Sequence, residues 1–290
     1  MRLQQRLVLI YIRTKFALLS SLSKKKAARE AFNLFCTPQH RNRKKLPPIF
    51  EKAERLRFPF GGSLITGYRW NNSSPKKVLI LHGFESSVIN FDRYVKPLIN
   101  KGYEVLAFDA PAHGRSTGKS ITVISYKQLI NYVNQNFGPI KSFIAHSFGG
   151  LALSVALEEI QTDASYKIVF IAPAAETTTA VNSFFTFLNL EIAVRKEFDA
   201  IIKEKSGHPP EWFSIARIAP ALKGSVLWLQ DTEDKMTPMS DVLPVIEKRY
   251  PNFEFYITEG LGHRRIYRDN KVSKKIVEFL TSTGNEQELS

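Results

Sequence analysis

After Pro75 the chain alternates short apolar runs with longer segments of helical periodicity, and this alternation constrains the fold more than any other feature. The runs Val78-Leu81, Glu104-Phe108, Ser142-Ala145, Lys167-Ile171, Val226-Gln230 and Glu254-Ile257 are rich in Val, Ile, Leu and Phe. Segments with helical spacing stand at Phe91-Asn100, Val123-Phe137, Phe148-Ile160, Met239-Lys248 and Asn270-Leu280. Strands that are apolar throughout must be covered on both faces, and intervening helices supply the crossovers that parallel neighbours need. The sequence therefore predicts an α/β domain with a mostly parallel central sheet and helices on both faces. Upstream, Phe58 to Trp70 reads as a hairpin turned at Gly61-Gly62, which opens an antiparallel edge.

Two stretches interrupt the alternation. More than fifty residues separate Ile171 from Val226, far beyond what one crossover helix requires. Residues 173–220 are therefore an insertion, expected as a helical cap over the carboxyl ends of the strands, where open α/β sheets bind ligands. Its Phe184, Phe185 and Phe187 are candidates for the wall of a substrate pocket, with His82 and His146. The other stretch is N-terminal. Residues 1–57 hold eight arginines and seven lysines against three glutamates, a net +12 out of +14 for the 290-residue chain. Ser23 is placed to cap a helix from Lys24 to about Phe35, ended by Pro38, and the polar, proline-bounded stretch 39–48 reads as a linker. The expected divisions are a basic helical N-terminal arm over 1–48, an α/β core over 49–172 and 221–290, and the cap between the two parts of that core.

The apolar run Leu7-Ile12 is too short to span a bilayer and is followed by Arg13 and Lys15, so an amphipathic helix is expected, packed on the domain or lying on a membrane. Basic arms also bind nucleic acid, but no nucleic-acid motif with interleaved aromatics accompanies this one. Peripheral contact with anionic lipid is the partner that its charge suggests. Cys36 is the sole cysteine, which excludes an intrachain disulfide and a cysteine-based zinc cluster and fits a reducing, cytoplasmic setting. No metal cluster, phosphate-binding glycine loop or nicotinamide fingerprint is present, so no cofactor is expected.

Chemistry concentrates around Ala145-His146-Ser147-Phe148-Gly149, which joins a strand to a helix. Small residues on either side of a serine allow a turn tight enough to display its hydroxyl at the top of a sheet. A serine hydroxyl becomes nucleophilic only when a base takes its proton and a third group orients that base. Both candidates follow in order: Asp234 lies 87 positions beyond Ser147, after one apolar run, and His263 lies 29 beyond Asp234, after the next. Asp231 and Glu233 share the acid loop, and the spacing to Thr237-Pro238 favours Asp234.

From Val78 to the C-terminus the chain resembles the serine α/β-hydrolases, on four motifs in the family's order. These are His82-Gly83-Phe84 after the first parallel strand, Asp109-Ala110-Pro111-Ala112-His113-Gly114-Arg115-Ser116, the serine turn, and Gly260-Leu261-Gly262-His263. The resemblance implies Ser147 as nucleophile, His263 as general base then acid, and Asp234 as the orienting carboxylate. It places an oxyanion hole at the backbone N–H groups of Phe84 and Phe148, donors worth about 3 to 4 kcal/mol each to a tetrahedral intermediate. It gives His82, His113 and His146 structural roles. The elbow departs from the family's usual glycine at Ala145, where one methyl is added. A serine at this turn excludes the dehalogenases and epoxide hydrolases of the same fold, which carry a carboxylate there. The implied activity is hydrolysis of a small carboxylic ester or other acyl substrate. Alternatives on the same residues are an acyltransferase, a thioesterase or amidase, and a catalytically silent ligand-binding homologue.

Overall fold

In a computed structural model, which describes residues 3–282, the alternation folds into one eight-stranded sheet. β1 (Glu54–Phe60) and β2 (Ser63–Trp70) form the hairpin, with Phe60 opposite Ser63 across Gly61 and Gly62. Both glycines have positive φ, 52° and 73°, which side chains disfavour. β2 runs antiparallel to β4 (Glu104–Asp109). From β4 onward the sheet is parallel through β3 (Lys77–Leu81), β5 (Ser142–His146), β6 (Lys167–Ile171), β7 (Ser225–Asp231) and β8 (Phe253–Thr258).

The order is β1-β2-β4-β3-β5-β6-β7-β8, so the chain leaves β3 to one side and returns to pair β5 on the other. That reversal opens a crevice beyond the carboxyl ends of β3 and β5, the position at which doubly wound sheets bind ligands. His82-Gly83 follows β3 and Ser147 follows β5.

Side chains alternate across the sheet as a period of two requires. Leu79, Leu106, Phe143, Ile168 and Trp228 belong to one apolar core, and Val78, Ile80, Ile144, Val169 and Leu227 to the other. α5 (Val123–Phe137) and α6 (Phe148–Ile160) contribute to the first core, and α4 (Asp92–Asn100) and α12 (Asn270–Thr281) to the second. Phe143 is fully buried, so Phe143→Ala is expected to cost about 3–5 kcal/mol in transfer and cavity energy.

The basic N-terminal segment is tied to the rest of the molecule. α1 (Leu3–Leu22) buries Phe16 and Ser20 and leaves Leu7, Ile10, Tyr11, Leu18 and Leu22 exposed. In α2 (Lys24–Phe35) the Ser23 side chain caps the Lys26 N–H, and Ala27, Ala28, Ala31 and Phe32 are buried. Phe32 packs 5.8 Å from Phe198 of α8 (Ile192–Ser206), which lies with α7 (Thr177–Leu188) in the insertion between β6 and β7. The stretch read as a linker is laid along the core: the Gln39 N–H meets Glu85 Oε1 at 2.7 Å, and Arg41 donates to the Ser116 and Gly118 carbonyls. Polar composition there reflects bonding to the loops that follow β3 and β4.

Short helices complete the chain: α3 (Pro48–Glu51), α9 (Ile215–Ile218), α10 (Leu243–Glu247) and α11 (Gly262–Arg265). The helix expected over Met239-Lys248 is a 3₁₀ turn followed by α10, because Pro244 has no N–H to continue the ladder. Among the described residues no helix is long and apolar enough to cross a membrane.

Candidate active site

Ser147 sits between the last residue of β5 and the first of α6 with φ 53° and ψ −123°, a conformation that costs a side-chain-bearing residue about 1–3 kcal/mol. Its surroundings hold it there. The Ser147 N–H donates to Ile171 O at 3.1 Å, and its carbonyl accepts from the N–H groups of Gly150 and Ala174 at 2.9 and 3.0 Å. Close approach of the loops demands glycine at two places. A Cβ at Gly149 would come 2.6 Å from His82 O, and one at Gly83 would come 2.8 Å from Ser147 Cβ. Ala145 is fully buried in β5 opposite Leu81, so its extra methyl is packed into the sheet.

Three side chains from three loops meet in a line. His263 Nε2 lies 2.9 Å from Ser147 Oγ, and His263 Nδ1 lies 2.7 Å from Asp234 Oδ2. With its Nδ1–H given to the carboxylate, the imidazole turns its Nε2 lone pair toward the serine hydroxyl. Asp234, only 3% exposed, has both oxygens matched. Oδ1 accepts from the Met236 and Thr237 N–H groups at 2.8 and 3.0 Å, and Oδ2 accepts from Thr237 Oγ1 at 2.7 Å besides His263. Burial alone would raise the pKa of this carboxyl. The hydrogen bond and charge of His263, with the donors of Thr237, outweigh burial and hold it below the ordinary range.

Thr237 was legible only as a spacing marker, yet its hydroxyl also lies 3.2 Å from His263 Nδ1. Its signal is positional: a threonine three residues after an aspartate can close a turn on that carboxylate. Asp231, the rival acid, faces elsewhere. It accepts from Thr258 Oγ1 at 2.7 Å and from the Leu261 N–H at 2.9 Å, fixing the loop that carries His263.

Phe84 lies on the loop after β3 and Phe148 directly follows Ser147 after β5, and among the described residues neither backbone N–H meets a hydrogen-bond acceptor. The two rings meet edge to face at 5.9 Å, and Phe84 is 37% exposed. His82 is fully buried; its Nδ1–H donates to Gly83 O at 2.8 Å and its Nε2 accepts from the Ala110 N–H at 3.0 Å. Burial pushes its pKa down to about 4. His113 likewise accepts the Glu85 N–H at 3.0 Å, one residue past Phe84, and burial and then His82 push it down to about 3. His146 donates from Nε2 to His263 O at 3.0 Å, while its Nδ1 is buried without a partner among the described residues. Burial, then the charge of His263, push it down to about 3. Asp109 completes the scaffold, accepting from Ser87 Oγ, the Val88 N–H and the Arg115 N–H at 2.7, 3.0 and 2.9 Å.

The three phenylalanines of the insertion have other neighbours. Phe184 and Phe185 pack on Phe198 of α8, and Phe184 also on Phe35 of α2. Phe187 is 55% exposed, and its carbonyl accepts from Arg13 of α1. Among the described residues no group of three or more His, Cys, Asp or Glu is arranged to hold a metal ion.

Known proteins resemble this chain in sequence or in fold. Residues 72–204 match the Hydrolase_4 family, described as serine aminopeptidase, S33. An uncharacterized protein of Bacillus subtilis, YqkD, is 23% identical over 257 residues, covering 82% of this chain and 83% of its own. YugF, an uncharacterized hydrolase of the same organism, is 29% identical over 108 residues, 36% of this chain and 39% of its own. The Pyrococcus furiosus esterase Pf2001 superposes with a TM-score of 0.62 at 22% identity over 84% of this chain and 97% of its own. Mouse alpha/beta hydrolase domain-containing protein 10 superposes at 0.56 with 16% identity, over 78% and 96%. The reversal of strand order at β3, the serine turn after β5 and these likenesses give the chain the α/β-hydrolase fold.

Proposed function

We propose that the chain is a serine hydrolase that cleaves a carboxylic ester through an acyl-enzyme, with Ser147 as nucleophile, His263 as base and acid, and Asp234 as the group that orients His263. One observation carries this reading: the unbroken chain of contacts from Asp234 Oδ2 through His263 to Ser147 Oγ, at 2.7 and 2.9 Å, on a serine held at positive φ. Ser147 Oγ attacks the acyl carbon as its proton passes to His263 Nε2, and the carbonyl electron pair moves onto oxygen between the Phe84 and Phe148 N–H groups. Collapse of that intermediate breaks the bond to the alcohol oxygen, which takes the proton from His263. Water then repeats the attack on the acyl-serine, with His263 taking its proton and returning it to Ser147 as the acid departs. Asp234 stays ionised throughout and stabilises the imidazolium.

An ester is favoured over a peptide by the apolar edge that the Phe84 and Phe148 rings form, 5.9 Å apart, on the loops that carry Gly83 and Ser147. The esterase named among the structural likenesses supports the same choice, while the serine aminopeptidase description makes an amide the second reading. A fluorophosphonate probe tests the nucleophile: folded wild type should label and Ser147→Ala should not. A folded wild type that stays unlabelled would remove the proposal. A series of p-nitrophenyl esters against aminoacyl p-nitroanilides then separates ester from amide, and added alcohols in the ester assay report transfer to a nucleophile other than water.

A further inference from the structure

The hairpin carries a feature that the hydrolytic site does not use. A cleft of about 350 Å³ is lined by Arg43, Arg55, Arg57 and Arg115, with Tyr68 and Thr66. Its construction follows from strand register. Arg55 and Arg57 lie two apart on β1 and so share one face of the sheet, opposite Tyr68 and Thr66 of β2. Arg115 comes from the loop after β4, where its N–H is fixed by Asp109 at 2.9 Å. Arg43 comes from the extended segment that Arg41 ties to the same loop.

Among the described residues, none of these four guanidinium groups is paired with a carboxylate. Arg69, one residue beyond Tyr68 along β2 and so on the opposite face, is by contrast held by both oxygens of Glu54 at 2.7 and 2.8 Å. The same hairpin thus pairs its arginine on one face and leaves its arginines unpaired on the other. Tyr68 is 1% exposed, and its hydroxyl has no hydrogen-bond partner among the described residues. Burial, then Asp109, raise its pKa while Arg115, Arg55 and Arg57 pull the other way, so at neutral pH it is a donor beside three guanidinium groups.

The cleft therefore presents donors and positive charge. A guanidinium forks two parallel N–H bonds onto a phosphate, and a phenol adds a third direction. Four positive charges around one space match a group bearing at least two negative charges, and the volume is that of a small-molecule site. We propose that this cleft binds a phosphate-bearing anion of the diphosphate or phosphomonoester class, with Arg55, Arg57 and Arg115 clamping the phosphate and Tyr68 donating to it. This site stands independently of the Ser147 chemistry.

The test titrates the full chain with sodium pyrophosphate in a calorimeter at physiological salt, beside sedimentation with phosphatidylcholine vesicles with and without phosphatidic acid. Saturable binding of pyrophosphate is expected, weakened at least about tenfold in Arg55→Ala/Arg57→Ala and a few-fold in Arg55→Lys/Arg57→Lys, because lysine keeps the charge and loses the fork. Tyr68→Phe should weaken it about threefold. Pyrophosphate binding without vesicle retention identifies a soluble ligand. Retention on phosphatidic acid that pyrophosphate competes away and the double alanine variant abolishes identifies a lipid headgroup. Circular dichroism and the urea unfolding midpoint check that each variant is folded. The proposal is overturned if neither pyrophosphate nor phosphatidic acid binds, or if the folded alanine variant binds as wild type does.

Discussion

The loops around Asp234 and the cleft around Arg57 treat charge in opposite ways. Asp234 is a buried anion whose two oxygens receive two backbone N–H groups, a hydroxyl and an imidazole. The four arginines of the cleft are cations that receive no carboxylate among the described residues. A charge taken out of water needs its partners supplied by the fold, and those partners then fix its position to within a hydrogen bond. A charge left at a cleft keeps its affinity for something the fold does not supply. One region is preorganised by internal bonding and the other is open to an external anion.

The largest effects should come from breaking the internal network. Ser147→Ala removes the proposed nucleophile and should lower kcat/KM for p-nitrophenyl esters by about 10⁴-fold or more, with unchanged circular dichroism. Asp234→Asn keeps the shape and loses the charge. Its amide can no longer both accept from Thr237 and select the Nδ1–H tautomer of His263, so a loss of about 10⁴-fold is expected. A loss below tenfold would mean that Asp234 is only a structural acceptor and that the network does not orient the base.

Stability should fall next, through the histidines buried around the elbow. His82, His113 and His146 have pKa values pushed down to about 4, 3 and 3 in the folded protein. In the unfolded chain they regain about 6.5. Between pH 6.5 and 4 the unfolded state therefore binds up to three more protons, so stability declines as pH falls, by up to about 1.4 kcal/mol per pH unit for each histidine. Asp234 adds a loss of the same sign at lower pH, because a depressed carboxylate contributes stability above its unfolded value that disappears as pH falls through its folded one. Urea midpoints at pH 7, 6, 5 and 4 measure this. A flat profile would show that the histidines are open to solvent and that the region is less tightly closed than its hydrogen bonds imply.

Thr237→Val is a smaller probe of the same region. It removes one donor from Asp234 Oδ2 and leaves His263 and the two N–H groups, so about 1 kcal/mol is expected, near a fivefold fall in kcat/KM. An acidic shift in the lower limb of the pH–rate profile should not accompany it, since the loss of a donor raises the carboxyl toward its ordinary range. A shift to higher pH is the expected sign.

How much of each region could be read from the chain follows from the same difference. The sheet and the serine turn were legible because their signals are local: apolar runs of strand length, a serine among small residues, an aspartate and a histidine each just beyond a strand. The contact of His263 with both Ser147 and Asp234 follows once β5, β7 and β8 end at the same edge. Thr237 was harder, because its hydroxyl acts through a turn whose geometry a sequence does not state. The cleft was illegible, since residues 43, 55, 57 and 115 converge only through the register of β1 on β2 and the path of the loop after β4. The high N-terminal charge was visible as a total, and what it could not reveal was which arginines face one another. The insertion is similar: Phe184 and Phe185 are apolar at helical spacing, but their ring contacts with Phe198 of α8 and, for Phe184, with Phe35 of α2 depend on how these helices pack.

The smallest effect tests the cleft through stability. Arg57→Gln removes one of four like charges, so at 20 mM salt it should raise the free energy of urea unfolding slightly, by a few tenths of a kcal/mol. Arg69→Gln, on the other face of the same hairpin, breaks the bidentate pair with Glu54 and should lower it by a similar amount. Both differences should shrink at 500 mM salt, where screening extends over only a few ångströms. Opposite signs from neighbouring arginines cannot come from side-chain propensity or lost packing, which would push both variants the same way. They follow only if one guanidinium is partnered within the chain and the other is not. If Arg57→Gln instead destabilises at low salt, the guanidinium already has an internal partner, and the contrast between a closed network and an open cleft dissolves.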